Sequence, residues 1–468
     1  MKLGARRQSR RQGVASYLAH RGRPSKSAWT RLQGRKSEAR AQIVRGIGRC
    51  GSMARKCNSN RLVSRNAEWY RSAMKRIREF DGLRFFAIAG VLLHHYRPPF
   101  RPALDFLSIG WVGVELFFVI SGFLITTILV SLRGTKNPYG VFYWRRALRI
   151  FPPYYLVLSL VCAVQLIRNV HSPLGVTVGG FFLLTSLKLP IVFHAILSVW
   201  HGVQLDSKWI PLSNSFYKNW GDGFNIFWSL SIEELFYLIW APIVLVCSRR
   251  QVQAVSLFAI VFCPLLRVLC HTSSFPEYFI FFCRFDTLML GSLLSLIFIA
   301  TSRGEIRRSA LNRGLYLVAI ASLLCLVLLL VHDGFLNHME LRSTLSFAAL
   351  GYTLLGFFFA SVVGICATHA GAAFWWARAL RAWPLVQIGT VSYMMYLIHI
   401  SVWVACYKLL FRLEARAATP GLMLGCLSAG ITVALAALSW RFFEKPILRL
   451  KNTSFWERSV TKSKISVQ

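Results

Sequence analysis

The chain has 468 residues, 55% of them hydrophobic and only 16% charged, with a mean hydropathy of +0.48. So few charges cannot cover a water-facing surface, which excludes a soluble globular enzyme. Long apolar runs between residues 83 and 439 mark an all-α, polytopic membrane protein, and the lack of ten-residue alternating segments argues against a barrel.

The net charge of +37 is uneven: residues 1–73 hold 19 Lys/Arg against two Glu, a net +17. This basic N-terminal extension, expected to be disordered, lacks the apolar core of a secretory signal. A mitochondrial-type presequence is compatible with its composition. So is an upstream extension, because Met74-Lys-Arg-Ile-Arg reads as a natural chain start. The arm suits an anionic cytoplasmic leaflet. Nucleic acid is not the expected partner, since that reading rests on these residues alone. The eleven Cys form no C-x-x-C pair, and several lie inside apolar runs. They read as packing residues, with no metal and no disulfide framework expected.

Spans of about 20 residues are expected near 83–97, 109–132, 151–167, 227–247, 253–270, 278–300, 315–331, 344–366, 386–411 and 421–439. The apolar stretch 178–200 is interrupted by Lys188, Pro190 and His194. If it crossed, the Arg303, Arg307, Arg308, Arg313 cluster would fall outside, against the positive-inside rule. It is therefore expected to be re-entrant or surface-lying, within an irregular outer region 168–226. The expected arrangement has about ten transmembrane helices, both termini cytoplasmic, in the cell inner membrane.

The first span carries Asp81-Gly-Leu-Arg84 at one end and His94-His95 at the other. On a helix, Asp81 and His95 stand about 21 Å apart, one near a membrane face and the other deep or near the far side. Ionisable residues in a span point to function. Alternatively, Asp81 and Arg84 taken alone fit interfacial anchors. The second span reads Gly113-Val-Glu115-Leu-Phe-Phe-Val-Ile-Ser121-Gly-Phe123. Next comes Arg146-Ala-Leu-Arg149-Ile-Phe-Pro152, with arginines at i and i+3 on one helix face. The fourth span opens Trp228-Ser229-Leu-Ser-Ile-Glu233-Glu234, and a late one reads Ser392-Tyr-Met-Met-Tyr396-Leu-Ile-His399.

Taken in order, these motifs resemble the membrane-bound acyltransferase-3 family, integral-membrane O-acyltransferases of polysaccharides. The family's Asp-Gly-Leu-Arg-x10-His, Gly-Val-(Asp/Glu)-Leu-Phe-Phe-Val-x-Ser-Gly-Phe, Arg-x-x-Arg-Ile-x-Pro, Trp-Ser-Leu-x-x-Glu and Ser-Tyr-x-x-Tyr-Leu-x-His patterns are all met. The resemblance covers Met74 to Arg449, giving an acyltransferase domain at 74–449 and a basic tail at 450–468. With few residues after the last span, the chain is expected to lack the extracytoplasmic hydrolase-like domain that many members append.

The resemblance implies an enzyme moving an acyl group, expected to be acetyl, from acyl-coenzyme A to a hydroxyl of a surface or lipid-linked carbohydrate. Acetyl-CoA is then a donor substrate, with no bound cofactor. Such chemistry needs a base and charge stabilisation. His95 is the candidate base, selected over His94 by the family's spacing, with Glu233 or Glu115 expected to orient its ring. Arg146 and Arg149 suit the phosphates of coenzyme A, although cytoplasmic helix ends carry arginines for topology as well. Ser121, Ser229, Tyr396 and His399, with Asp81, Arg84 and Trp228, are candidates for structural or substrate contacts. Glu234 is expected to face solvent. The rival class is a transporter or flippase of the same glycans, weakened by the lack of paired Gly/Pro-broken half-helices.

Overall fold

The computed structural model describes residues 77–96, 102–167, 227–271, 276–333, 344–413 and 422–452, all within the compact unit Ala73–Gln468. The extension 1–73, the stretch 178–200 and the tail beyond residue 452 lie outside the described residues. The long helices are α1 (Arg78–Tyr96), α2 (Gly113–Leu132), α3 (Pro138–Ile167), α4 (Phe227–Val246) and α5 (Arg249–Cys270). They continue with α6 (Phe281–Ser302), α7 (Arg308–His332) and α8 (Tyr352–Thr368). A short α9 (Trp375–Leu380) precedes α10 (Trp383–Leu413), α11 (Leu422–Ser439) and a terminal turn, α12 (Lys445–Arg449).

Among the described residues, nine helical segments are long and apolar enough to cross a membrane. The tenth long helix, α1, carries Arg78, Glu79, Asp81 and Arg84, which leaves it a shorter apolar stretch. The third span differs from the expected 151–167. Its helix starts at Pro138 and runs 30 residues through Pro152 and Pro153, so the helical Arg-rich motif and the apolar span form one continuous helix. Proline inside a span is tolerated because neighbouring helices and local adjustments satisfy the freed backbone groups.

Side-chain ties set the direction of each helix. Past the end of α2, Arg133 donates from Nε to the Val244 carbonyl at 2.7 Å and from Nη2 to that of Cys247 at 2.9 Å. Helices α2 and α4 therefore finish at the same end. Ile167 at the close of α3 and Phe227 at the opening of α4 accordingly share the opposite end. Arg249 meets Glu305 at 2.5 Å, joining the start of α5 to the α6–α7 turn. Glu79 pairs with Arg381 at 2.6 Å and accepts from the Gly371 amide at 2.8 Å, fastening the start of α1 to the α8–α10 connection. The basic loops thus gather at one end of the bundle.

Lipid contact sorts the side chains. Helix α7 buries only Leu311, Leu315 and Ser322 and turns Leu317, Leu324 and Leu328 outward, as a lipid-facing helix must. Glu115, Arg267, Arg284 and Asp286 are fully buried inside the bundle, where a charge in a membrane has to find its partner. The backbones of α2 and α6 come into close contact: a Cβ on Gly122 would strike the Leu288 carbonyl, and one on Gly291 that of Val119. Hydroxyls bond across this seam, Thr126 to Ser292 at 2.9 Å and Thr127 to Ser295 at 2.8 Å. Small residues and hydroxyls join helices in this way where lipid removes the hydrophobic drive.

Candidate active site

One approach positions the site. The Asp81 carbonyl lies against Gly389 of α10, where a Cβ would collide with it, so α1 and α10 touch at their backbones. Arg84, one turn further along α1, is thereby set opposite Ser392, Tyr393 and Tyr396. Asp81 holds the Arg84 guanidinium at 3.1 Å, with Asp81 almost wholly buried and Arg84 half-buried.

Helices α2, α3 and α4 complete a cleft. From α2 comes Ser121, from α3 come Arg146 and Arg149, and from α4 come Ser229, Glu233, Glu234 and Tyr237. The α4 residues recur at four-residue spacing, which puts Ser229, Glu233 and Tyr237 on one face. Glu233 is the hub: Ser121 Oγ donates to its Oε1 at 2.8 Å and the Tyr237 hydroxyl to its Oε2 at 3.1 Å. The Arg146 guanidinium lies 5.7 Å from the Tyr237 ring centroid and 5.9 Å from that of Phe142, a cation–π setting. Ser229 Oγ and the Tyr396 hydroxyl are 2.5 Å apart. The Tyr393 hydroxyl donates to the Ile150 carbonyl at 3.2 Å.

Just outside this wall, the turn Leu450–Asn452 packs against α3. Burial and the charges of Arg149, Arg146 and Arg145 hold the Lys451 ammonium down to about 8.

Past Tyr396 stands a pair of imidazoles. The fully buried His399 uses Nδ1 to bond the Tyr396 carbonyl at 2.7 Å. A carbonyl only accepts, so Nδ1 carries the proton. His399 Nε2 is buried with no hydrogen-bond partner among the described residues. The His95 ring centroid is 4.8 Å away, edge to face, and His95 Nδ1 bonds the Val91 carbonyl of its own helix at 2.9 Å. His94 turns aside to the Ser108 carbonyl at 2.6 Å.

Seven of the residues singled out from the sequence therefore line the cleft: Arg84, Ser121, Arg146, Arg149, Ser229, Glu233 and Tyr396. Asp81 supports Arg84 from behind. His95, Glu115, Trp228 and His399 lie off its wall. Trp228 packs on Tyr278, with ring centroids 4.7 Å apart.

Two expectations are corrected. Neither carboxylate orients His95: Glu233 is engaged by Ser121 and Tyr237, while Glu115 pairs with Arg284 and accepts from Thr287 at 3.1 Å. The ring is held instead by a backbone carbonyl, which a helical histidine reaches one turn back. Glu234 does not face bulk solvent but lines the cleft, because α3 and α10 cover the start of α4.

Sequence reasoning missed Tyr237, although four-residue spacing from Glu233 pointed to it. It also missed Arg284, Arg267 and Asp286, which lie in no recognised motif. Arg267 meets Asp286 at 3.0 Å, and Asp286 accepts from Thr353 at 2.6 Å.

An all-α polytopic bundle around a cleft lined by three arginines and two carboxylates defines a membrane protein that gathers charged groups in its interior. Residues 77–441 match the family described as Acyltransferase domain, and the chain belongs to this acyltransferase-3 family of membrane enzymes. It is 27% identical over 388 residues to the O-acetyltransferase OatA of Staphylococcus aureus, covering 78% of this chain and 56% of that one. It is likewise 27% identical over 395 residues to the peptidoglycan O-acetyltransferase OatA of Listeria monocytogenes, covering 81% and 56%. The chain thus spans little more than half the length of these relatives. No solved structure matches it.

Proposed function

We propose that the protein is an O-acetyltransferase that takes an acetyl group from acetyl-coenzyme A and places it on a hydroxyl of a cell-envelope carbohydrate, with peptidoglycan as the acceptor suggested by its relatives. The observation that carries the reading is the convergence of Arg84, Arg146 and Arg149 on one intramembrane cleft that also holds Glu233 and Ser121. Guanidinium forks suit the phosphates of the donor, and a guanidinium facing the thioester would stabilise its developing oxyanion.

In this reading the basic end of the bundle is cytoplasmic, in the inner membrane, and admits the donor. The acceptor approaches from the His95 side. With its proton on Nδ1, the neutral ring carries its lone pair on Nε2. That nitrogen takes the acceptor's hydroxyl proton as the oxygen attacks the thioester carbon. The carbon–sulfur bond breaks, and the leaving thiolate recovers the proton from the imidazolium. His399 packs against the ring, and Tyr396 links the imidazole pair to the cleft.

The test is transfer of labelled acetyl from acetyl-CoA to carbohydrate acceptor by membranes containing the protein. Arg146→Ala and Arg149→Ala should each raise the acetyl-CoA concentration needed for half-maximal rate by about tenfold or more, the loss of one charge-assisted bond of about 1.5–3 kcal/mol. Arg149→Lys should restore only part of it, since lysine lacks the fork. Unchanged donor dependence in a correctly inserted Arg149→Ala protein would reduce both residues to topology. Orientation is checked separately. A cysteine replacing Ser309, beside the α6–α7 turn, should react with an impermeant thiol reagent only after the membrane is opened.

A further inference from the structure

We infer that Lys451, on the turn that follows the last spanning helix, is a further donor-binding residue, taking the ribose 3′-phosphate of the coenzyme A thioester. The inference deepens the proposed function and rests on its choice of donor.

The last helix bends to bring this turn to the site. A π-turn at Trp440–Glu444 and the short α12 deliver Leu450–Asn452 to the flank of α3. Lys451 is half-buried there. Its ammonium lies within the field of Arg145, Arg146 and Arg149, a crowding that depresses its protonation.

Like charges held together in a partly dry place are unfavourable unless something neutralises them. Glu233 and Glu234 share the cleft with Arg146, and Glu444, which acts on Arg149, accepts from Ser439 at 3.2 Å. Arg146, Arg149 and Lys451 have no direct ion pair among the described residues. These three thus have carboxylates nearby but, among the described residues, none in direct contact, which suits a polyanion site.

Connectivity selects the phosphate. In coenzyme A the order from the reacting sulfur is pantetheine arm, diphosphate, then ribose with its 3′-phosphate. A thioester seated in the cleft with its carbon toward the His95 side sends the rest of the molecule out past Arg146 and Arg149, which line the wall. The diphosphate meets these two first. Lys451 stands against the same helix but outside the cleft, and so meets the group farther along the donor. A lysine supplies a point charge, which serves a terminal phosphate.

The experiment compares acetyl-CoA with acetyl-3′-dephospho-CoA as donors. The unsubstituted protein should prefer acetyl-CoA by about tenfold in kcat/KM, consistent with one charge-assisted contact. Lys451→Met should reduce that preference to near unity, and Lys451→Arg should keep most of it. Adenosine 3′,5′-bisphosphate should inhibit the unsubstituted protein more strongly than ADP does, a measurement that needs no variant. Equal preference in Lys451→Met and the unsubstituted protein overturns the assignment, as does equal inhibition by the two nucleotides. Failure of acetyl-CoA itself to serve as donor would instead overturn the reading of the reaction.

Discussion

Replacing His95 with alanine should lower acetyl transfer by about 10²–10⁴-fold, the contribution of a positioned general base, while the protein still inserts and folds. His95 bonds to the Val91 carbonyl of its own helix, and its neighbour His399 is secured independently through the Tyr396 carbonyl. The backbone contact of α1 with α10 at Asp81 and Gly389 does not depend on the imidazole. His94→Ala should cost far less, because that side chain points about 100° round the helix to the Ser108 carbonyl. The measurement is labelled acetate in carbohydrate from cells with equal amounts of membrane-inserted protein. Normal acetyl content with His95→Ala would remove the residue from the reaction. His399→Ala should give an intermediate loss, since the ring that packs beside the base would be gone.

Hydropathy made the bundle legible because lipid imposes one rule on every spanning helix: its outward residues must be apolar. The outer face of α7, with Leu317, Leu324 and Leu328, is that rule written out. The rule fails where a span carries polar groups. The expected span of α3 starts at residue 151 because Arg145, Arg146 and Arg149 precede its apolar run; one helix, Pro138–Ile167, carries both. The arginine-lined wall could be read ahead because i, i+3 spacing is local. The partners of the carboxylates could not. Ser121 and Glu233 are brought together by the packing of α2 on α4, and Glu115 and Arg284 by the contact of α2 with α6. No local pattern encodes either pairing. Glu115 and Ser121 stand in one motif, yet Glu115 meets Arg284 of α6 and Ser121 meets Glu233 of α4.

Glu115→Gln should act on stability before it acts on chemistry. Glu115 and Arg284 are both completely buried and form an ion pair, with Thr287 donating to the carboxylate at 3.1 Å. The Arg284 guanidinium also lies 4.0 Å from the Tyr352 ring centroid and 5.1 Å from that of Tyr278. Removing one charge leaves the other desolvated without its counter-ion, which costs about 3–5 kcal/mol. The expected result is a lower unfolding temperature in detergent and less inserted protein. Pairing Glu115→Leu with Arg284→Met should recover much of that stability, because apolar replacement of both partners removes the stranded charge. Activity then separates two roles. If the pair only joins α2 to α6, the double variant regains transfer together with stability. If Glu115 takes part in the reaction, as its place in the motif suggested, the double variant is stable and inactive. A Glu115→Gln protein with unchanged unfolding temperature would contradict the ion pair as a structural tie, whatever its activity.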